Sequence, residues 1–338
     1  MSESGMSDVL RETEAAPPQM IHVANDTWTW VDFPDSRCAN GTPTGIGVNP
    51  HAGATRILIF LQGGGACVDA NSCWINPTAD NIASGYGSMQ FATELTLALS
   101  LFQRGPISGN PFADSIFVYV PYCTGDIHSG THVANYVVNG KNQPTYHYGG
   151  HNVDLFFASL AASYPGLSRV ELVGFSAGGF GTFMSQDFAA RAFGGIRVDV
   201  YDDSGPPIQD DQLFAAALAN WVPQFPPACT DCMTGFPRIF AYDRATYASS
   251  RYGFLTFQTD NVLPMFYGVT PQMFAAQIAT LLQGLASDPN VHYFEALASG
   301  HVVSTPLTTA VDPAAGLALM PWVTKMATDD PTWASGKY

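Results

Sequence analysis

Positive charge is scarce in this chain. Lys and Arg together number 13 against 28 Asp and Glu in 338 residues, a formal net charge of −15. So acidic a chain is poorly suited to nonspecific nucleic-acid binding or to long-range attraction of polyanions. Long apolar runs are missing as well: none reaches the ~18 residues a membrane-crossing helix needs, so no integral membrane segment is expected. Phosphate-binding signatures are lacking. The glycine run Gln62-Gly63-Gly64-Gly65-Ala66 has neither a Gly-Lys-Ser/Thr ending nor Gly-x-Gly-x-x-Gly spacing, which excludes the common nucleotide cradles. A second Cys-x-x-Cys is absent, so Cys229-Thr230-Asp231-Cys232 lacks the other half of a zinc site; a local disulfide or two free thiols are its readings. The start, Met1 to Gln19, is polar and rich in Glu, Ser and Pro. It reads as a disordered tail over 1–18, not as a signal peptide.

What is present is core material, 46% hydrophobic residues, enough for one large domain over 19–338 with insertions. The organising stretch is Val173-Gly174-Phe175-Ser176-Ala177-Gly178-Gly179. It follows a β-like run (Arg169 to Val173) and opens a helical one, the setting of a Gly-x-Ser-x-Gly elbow that presents a nucleophilic serine. Upstream, Arg56 to Leu61 is a buried-strand pattern ending in the glycine run. Such a loop can aim backbone N–H groups at an oxyanion, and Gly64, Gly65 and Ala177 are the candidate donors.

Further strand patterns run over Ser115–Pro121, Ile196–Tyr201, Gly253–Gln258 and Val291–Leu297, alternating with helical stretches. That alternation predicts a mostly parallel sheet with helices on both faces. Asp260 follows one strand and His301 the next, giving the chain order Ser, Asp, His. In that reading His301 exchanges the proton of Ser176 and Asp260 fixes the imidazole tautomer. Asp203, also at a strand end, is the alternative acid or a brace beneath the elbow, and His292 is a weaker base candidate because it falls inside a strand. Insertions are expected at 67–114 and 206–250, the second as an aromatic-rich cap. Gln19–Val23 and Thr27–Phe33 predict a hairpin about Asn25-Asp26, and Gly41 to Asn49 a connection. A metal site among His128, His132, His147 and His151 is set aside for pocket-lining or surface roles, since Gly149-Gly150 breaks helical ligand spacing.

Leu61-Gln62-Gly63-Gly64-Gly65-Ala66-Cys67, Cys73, Pro121-Tyr122-Cys123-x-Gly125-Asp126, Gly174-Phe175-Ser176-Ala177-Gly178-Gly179 and Asp202-Asp203-Ser204-Gly205 together resemble the pectin acetylesterase family that includes Notum carboxylesterases. The resemblance implies an α/β hydrolase-like fold and a serine carboxylesterase, secreted or periplasmic, with Ser176, Asp260 and His301 as triad. It implies no metal and no cofactor. It also implies disulfides Cys67–Cys73 and Cys38–Cys123, leaving Cys229 with Cys232. Two departures stand out: Gln62 where an acidic residue is common, and Gly65 where a tryptophan is common, which implies a wider mouth. The expected partner is a small or polymeric ester substrate, and the protein is expected to be a monomer. Alternatives are a lipid-type acyl, polyester or thioester hydrolase, or a glycan- or lipid-binding protein without turnover.

Overall fold

The computed structural model describes residues 17–94, 100–105, 109–304 and 313–338. In chain order they form β1 (Thr29–Phe33), β2 (Thr44–Asn49), β3 (Arg56–Leu61), α1 (Ser88–Glu94), β4 (Ile116–Val120), β5 (His132–Val138), β6 (Lys141–His147), α2 (Gly149–Ser163), β7 (Arg169–Phe175) and α3 (Ala177–Ala192). There follow β8 (Arg197–Asp203), α4 (Asp211–Asn220), α5 (Phe236–Thr246), β9 (Tyr252–Asp260), α6 (Leu263–Phe266), α7 (Pro271–Leu285), β10 (Val291–Gly300), α8 (Pro313–Ala327) and β11 (Gly336–Lys337). Most of the tail expected over 1–18, and part of the insertion expected at 67–114, lie outside the described residues.

Nine strands make one sheet in the order β1-β2-β4-β3-β7-β8-β9-β10-β11. From β4 to β11 all neighbours run parallel; β2 meets β1 and β4 antiparallel. Alternation along β3 sends Ile57, Ile59 and Leu61 to one face, where Phe156, Phe157 and Leu160 of α2 and Phe188 of α3 cover them. Leu58 and Phe60 join the opposite core with Trp322, Val323 and Met326 of α8. That helix carries Pro321 in its interior, at a cost of ~3 kcal/mol. Three fully buried apolar side chains, each worth roughly 1.5–3 kcal/mol, outweigh it.

The parallel register brings the C-terminal ends of the strands to one edge, where an open α/β sheet builds its site. Gly174 lies opposite Asp202, Phe175 opposite Asp203, and Gly300 opposite Asp260.

One expectation is corrected. The hairpin over Gln19–Val23 and Thr27–Phe33 does not form: β1 pairs with β2, inside the stretch expected to be a connection. The glycines of Thr-Gly-Ile-Gly-Val-Asn mark close approach here, since a Cβ on Gly45 would lie 2.1 Å from the Val31 carbonyl oxygen and one on Gly47 2.2 Å from the Phe91 ring. Gln19–Val23 is instead tied to the end of α2, with the Ile21 N–H donating to Ser163 Oγ at 2.8 Å. The histidine segment contains the β5–β6 hairpin, closed by Asn139-Gly140, both with positive φ (51° and 74°), the signature of a two-residue hairpin turn. Gly149 and Gly150 open α2, so His147 at the end of β6 and His151 in α2 share no helix, in keeping with the break expected there.

The cysteines form Cys38–Cys123, Cys67–Cys73 and Cys229–Cys232. Only the first closes a long loop, spanning 85 residues. Replacing Cys38 and Cys123 together by Ala is expected to destabilise the fold by about 4 kcal/mol, because the unfolded chain regains the entropy of that loop. An unchanged urea midpoint would show that the crosslink adds nothing.

Candidate active site

Ser176 sits between β7 and α3 with φ 54° and ψ −122°, a strained conformation for a residue with a side chain, costing roughly 1–3 kcal/mol. Its neighbours dictate the two glycines. A Cβ on Gly174 would lie 2.1 Å from the Gly178 carbonyl oxygen, and one on Gly178 1.9 Å from that of Leu61. Ser176 N–H donates to the Asp203 carbonyl at 2.7 Å, and its own carbonyl accepts from Phe180 N–H at 3.1 Å. The turn is thus held from β8 and from the first turn of α3, whose positive end lies beside the serine.

His301 Nδ1 lies 2.8 Å from Asp260 Oδ2. Asp260 Oδ1 accepts from the N–H groups of Val262 and Leu263, both at 2.8 Å, which leaves the carboxylate little freedom. With Nδ1–H donating to Asp260, Nε2 carries the lone pair. That nitrogen is buried and has no hydrogen-bond partner. Ser176 and His301 line one groove, yet no hydrogen bond joins Ser176 Oγ to Nε2, an opening that sites without substrate often show.

Asp203 occupies a different position. Its Oδ1 accepts from Val303 N–H at 2.9 Å and from Ser204 Oγ at 2.9 Å, and its Oδ2 from Ser304 N–H at 2.7 Å. Ser204 Oγ accepts in turn from Val302 N–H at 3.2 Å. Burial pushes the Asp203 carboxyl above its usual range, and the donors from Ser304, Val303 and Ser204 pull it back. These bonds hold the segment just past His301, including Val302 at φ 67°, a value a β-branched residue adopts only under constraint. His292 lies near the opposite end of β10, its ring 4.5 Å from that of Trp333, away from Ser176.

The glycine loop runs alongside. Gly64 and Gly65 have φ 145° and 74°, and a Cβ on Gly65 would lie 2.0 Å from the Thr78 carbonyl oxygen, so a tryptophan at this position does not fit this loop. The N–H groups of Gly64, Gly65 and Ala177 donate to none of the described residues. Sequence reasoning missed what fixes this loop. His128 Nε2 donates to the Gln62 carbonyl at 2.8 Å, and burial pulls the pKa of this histidine down to about 4, keeping it neutral. Gln62 Oε1 accepts from Tyr122 N–H, and Gln62 Nε2 donates to Glu94, both at 2.9 Å. Asp126, pushed up to about 6 by burial, accepts from Thr124 Oγ1 and from Gly130 and Gly149 N–H. The Tyr-Cys-x-Gly-Asp motif signalled this segment, but not that His128 reaches back to residue 62.

Of the remaining histidines, His147 uses both ring nitrogens, toward Thr124 O at 2.9 Å and Tyr136 Oη at 3.0 Å. The sulfurs nearest it, of Cys67 and Cys73, are joined to each other and offer no thiolate.

Two spaces meet at Ser176. One is a narrow apolar cavity of ≈ 30 Å³ lined by Ala66, Phe180, Leu213, Trp221, Phe236 and Phe266 among others. The other is an open groove of ≈ 400 Å³ that includes Gln62, Gly64, Asp80, Met265 and His301. Helices α4 and α5, from the segment expected to be a cap, supply Leu213 and Phe236.

The family model of pectinacetylesterases matches residues 22–222, the span carrying the glycine loop, the elbow and Asp203. The chain belongs to the pectinacetylesterase family. Within reach of this family are the palmitoleoyl-protein carboxylesterase notum1′ of Xenopus laevis, 26% identical over 208 residues, 59% of this chain and 38% of that protein, and NOTUM of Schmidtea mediterranea, 29% identical over 47% of this chain and 30% of that protein. An inactive palmitoleoyl-protein carboxylesterase notum1b of Danio rerio is 27% identical over 28% of this chain and 66% of that protein. This pectinacetylesterase-family chain therefore spans about a third of the length of the first two relatives. The Drosophila Wnt deacylase Notum has the same α/β hydrolase-like fold, with a TM-score of 0.60 over 82% of this chain and 86% of that chain at 19% identity.

Proposed function

We propose that this protein is a serine carboxylesterase that cleaves carboxylic esters through an acyl-enzyme on Ser176. The observation that carries the reading is the meeting, at one edge of the sheet, of a strained serine at a helix N-terminus with a histidine that lines the same groove, whose Nε2 has no hydrogen-bond partner and whose Nδ1 is held by Asp260. In this reading His301 takes the Ser176 proton as Oγ attacks the ester carbonyl, and returns it to the departing alcohol; water then repeats the sequence on the acyl-enzyme. Asp260 keeps the imidazole in the tautomer that leaves Nε2 basic and stabilises its cation. Free N–H groups of Gly64 or Gly65 and of Ala177 receive the charge that develops on the carbonyl oxygen. No step calls on a metal or cofactor.

The two spaces beside Ser176 divide the substrate. The apolar cavity receives the acyl group and the open groove the alcohol. The cavity's width favours a short acyl group such as acetyl, because a long chain would have to displace Leu213 and Phe236 at an overpacking cost of about 1–3 kcal/mol. Three disulfides support a protein that works outside a reducing cytosol. Among the described residues no helix is long and apolar enough to cross a membrane.

The test pairs a fluorophosphonate probe with p-nitrophenyl esters of increasing chain length. The probe is expected to label Ser176, and kcat/KM to fall by about tenfold or more between butyrate and palmitate. A folded protein that neither labels nor turns over any ester would favour a non-catalytic binding role, which the inactive relative makes concrete.

A further inference from the structure

The alcohol-side groove carries a charge that the proposed reaction does not use. Asp80 lines it, and its carboxylate is exposed. The residue is anchored by its own N–H, which donates to the Gly64 carbonyl at 2.8 Å. Its Oδ2 presses on the glycine loop, lying 2.9 Å from where a Cβ on Gly64 would stand. No described residue donates a hydrogen bond or offers a cation to this carboxylate. Among the described residues the groove's lining holds no Lys or Arg, and His301 is its only other titratable side chain. Behind the loop stands Glu94, itself engaged by Gln62, Tyr86 and Tyr119. Desolvation first, and the charge of Glu94 second, push the Asp80 carboxyl above its usual range.

A negative charge beside the N–H groups offered to an oxyanion opposes the chemistry, so its place there calls for a partner. From the groove side the partner that relieves it is a hydrogen-bond donor on the bound substrate. Asp80 lines the open groove and not the apolar cavity, so that donor belongs to the alcohol. Resting on the esterase reading above, we propose that Asp80 is a specificity-determining residue that selects esters whose alcohol carries a hydroxyl or ammonium donor near the ester oxygen, and disfavours alcohols bearing a carboxylate. Uronic-acid esters are then poor substrates, and neutral sugars, polyols or amino alcohols good ones.

The experiment uses the full chain and four acetate esters that differ only in the alcohol: propyl acetate, 2-hydroxyethyl acetate, 2-(dimethylamino)ethyl acetate, which is protonated near neutral pH, and O-acetylglycolate. In the wild type kcat/KM is expected to favour the cationic ester over the anionic one by about tenfold, with both donor-bearing esters above propyl acetate. In Asp80→Asn that ratio should shrink to about twofold, and Asp80→Glu should restore much of it. If the Asn variant does not fold, the wild-type ratio still reports, because raising the ionic strength must reduce it. A wild-type ratio near one, or one unchanged by Asp80→Asn or by salt, overturns the role of Asp80. Hydrolysis of p-nitrophenyl acetate is the control that separates the two readings: if it proceeds without discrimination only the Asp80 inference fails, and if no ester is turned over the esterase reading fails and takes this one with it.

Discussion

Ser176→Ala is expected to lower kcat on any ester by roughly 10⁴- to 10⁶-fold, leaving only what the oxyanion donors and binding supply. The substitution removes one hydroxyl and nothing that holds the fold. Ser176 contributes its backbone N–H to Asp203 and its carbonyl to Phe180, and Ala retains both. Among the described residues its Oγ makes no hydrogen bond, so the melting temperature should stay within a degree or two, on the order of the ±0.5 kcal/mol of a neutral change. Loss of activity with unchanged melting, and loss of fluorophosphonate labelling, is the outcome the mechanism requires. Retention of a tenth or more of wild-type kcat in a preparation free of other esterases would remove Ser176 as nucleophile.

The second large effect separates the two aspartates. Asp260→Asn keeps the shape of the side chain but offers an amide where the imidazole Nδ1–H needs a carboxylate, and it favours the tautomer in which Nε2 carries the proton. A fall in kcat of roughly 10⁴-fold with little loss of stability is expected. Asp203→Asn acts on a different link. The Asn amide nitrogen cannot accept, so one of the N–H groups of Val303 and Ser304 loses its partner inside a buried site, at about 1–3 kcal/mol. The segment past His301 should loosen, with a clear drop in denaturation midpoint and a smaller drop in kcat, on the order of tenfold to a hundredfold as geometry degrades. Should the pattern be reversed, with Asp203→Asn the more damaging to kcat at unchanged stability, Asp203 would be the acid and Asp260 the support.

The elbow could be read directly because its constraints are local. Gly174 and Gly178 answer to atoms of the same turn and of the adjacent strand, so the residue types themselves report the geometry. The central strands were equally legible, since a strand covered on both faces is apolar throughout. Where an element is recognised by what packs on it, the sequence was a poorer guide. The run Thr44–Asn49 resembles a loop because Gly45 and Gly47 make room for Val31 and Phe91. The β5–β6 hairpin announced itself with Asn139-Gly140, yet alternation on a half-exposed ribbon is weak, and the histidines within it drew the reading toward surface and pocket roles.

The sequence alone determined the candidate site in outline: which serine is strained, which strand ends carry an acid and a histidine, and which glycines leave N–H groups free. Steric necessity writes such features into residue type. Only the tertiary structure decided how those groups are held and what they face. His128 reaches the Gln62 carbonyl across 66 positions, Asp203 grips Val303 and Ser304 across 100 and 101, and Asp80 stands unpaired beside the glycine loop. Contacts between residues so far apart in the chain follow from sheet order and helix packing, which no local pattern encodes.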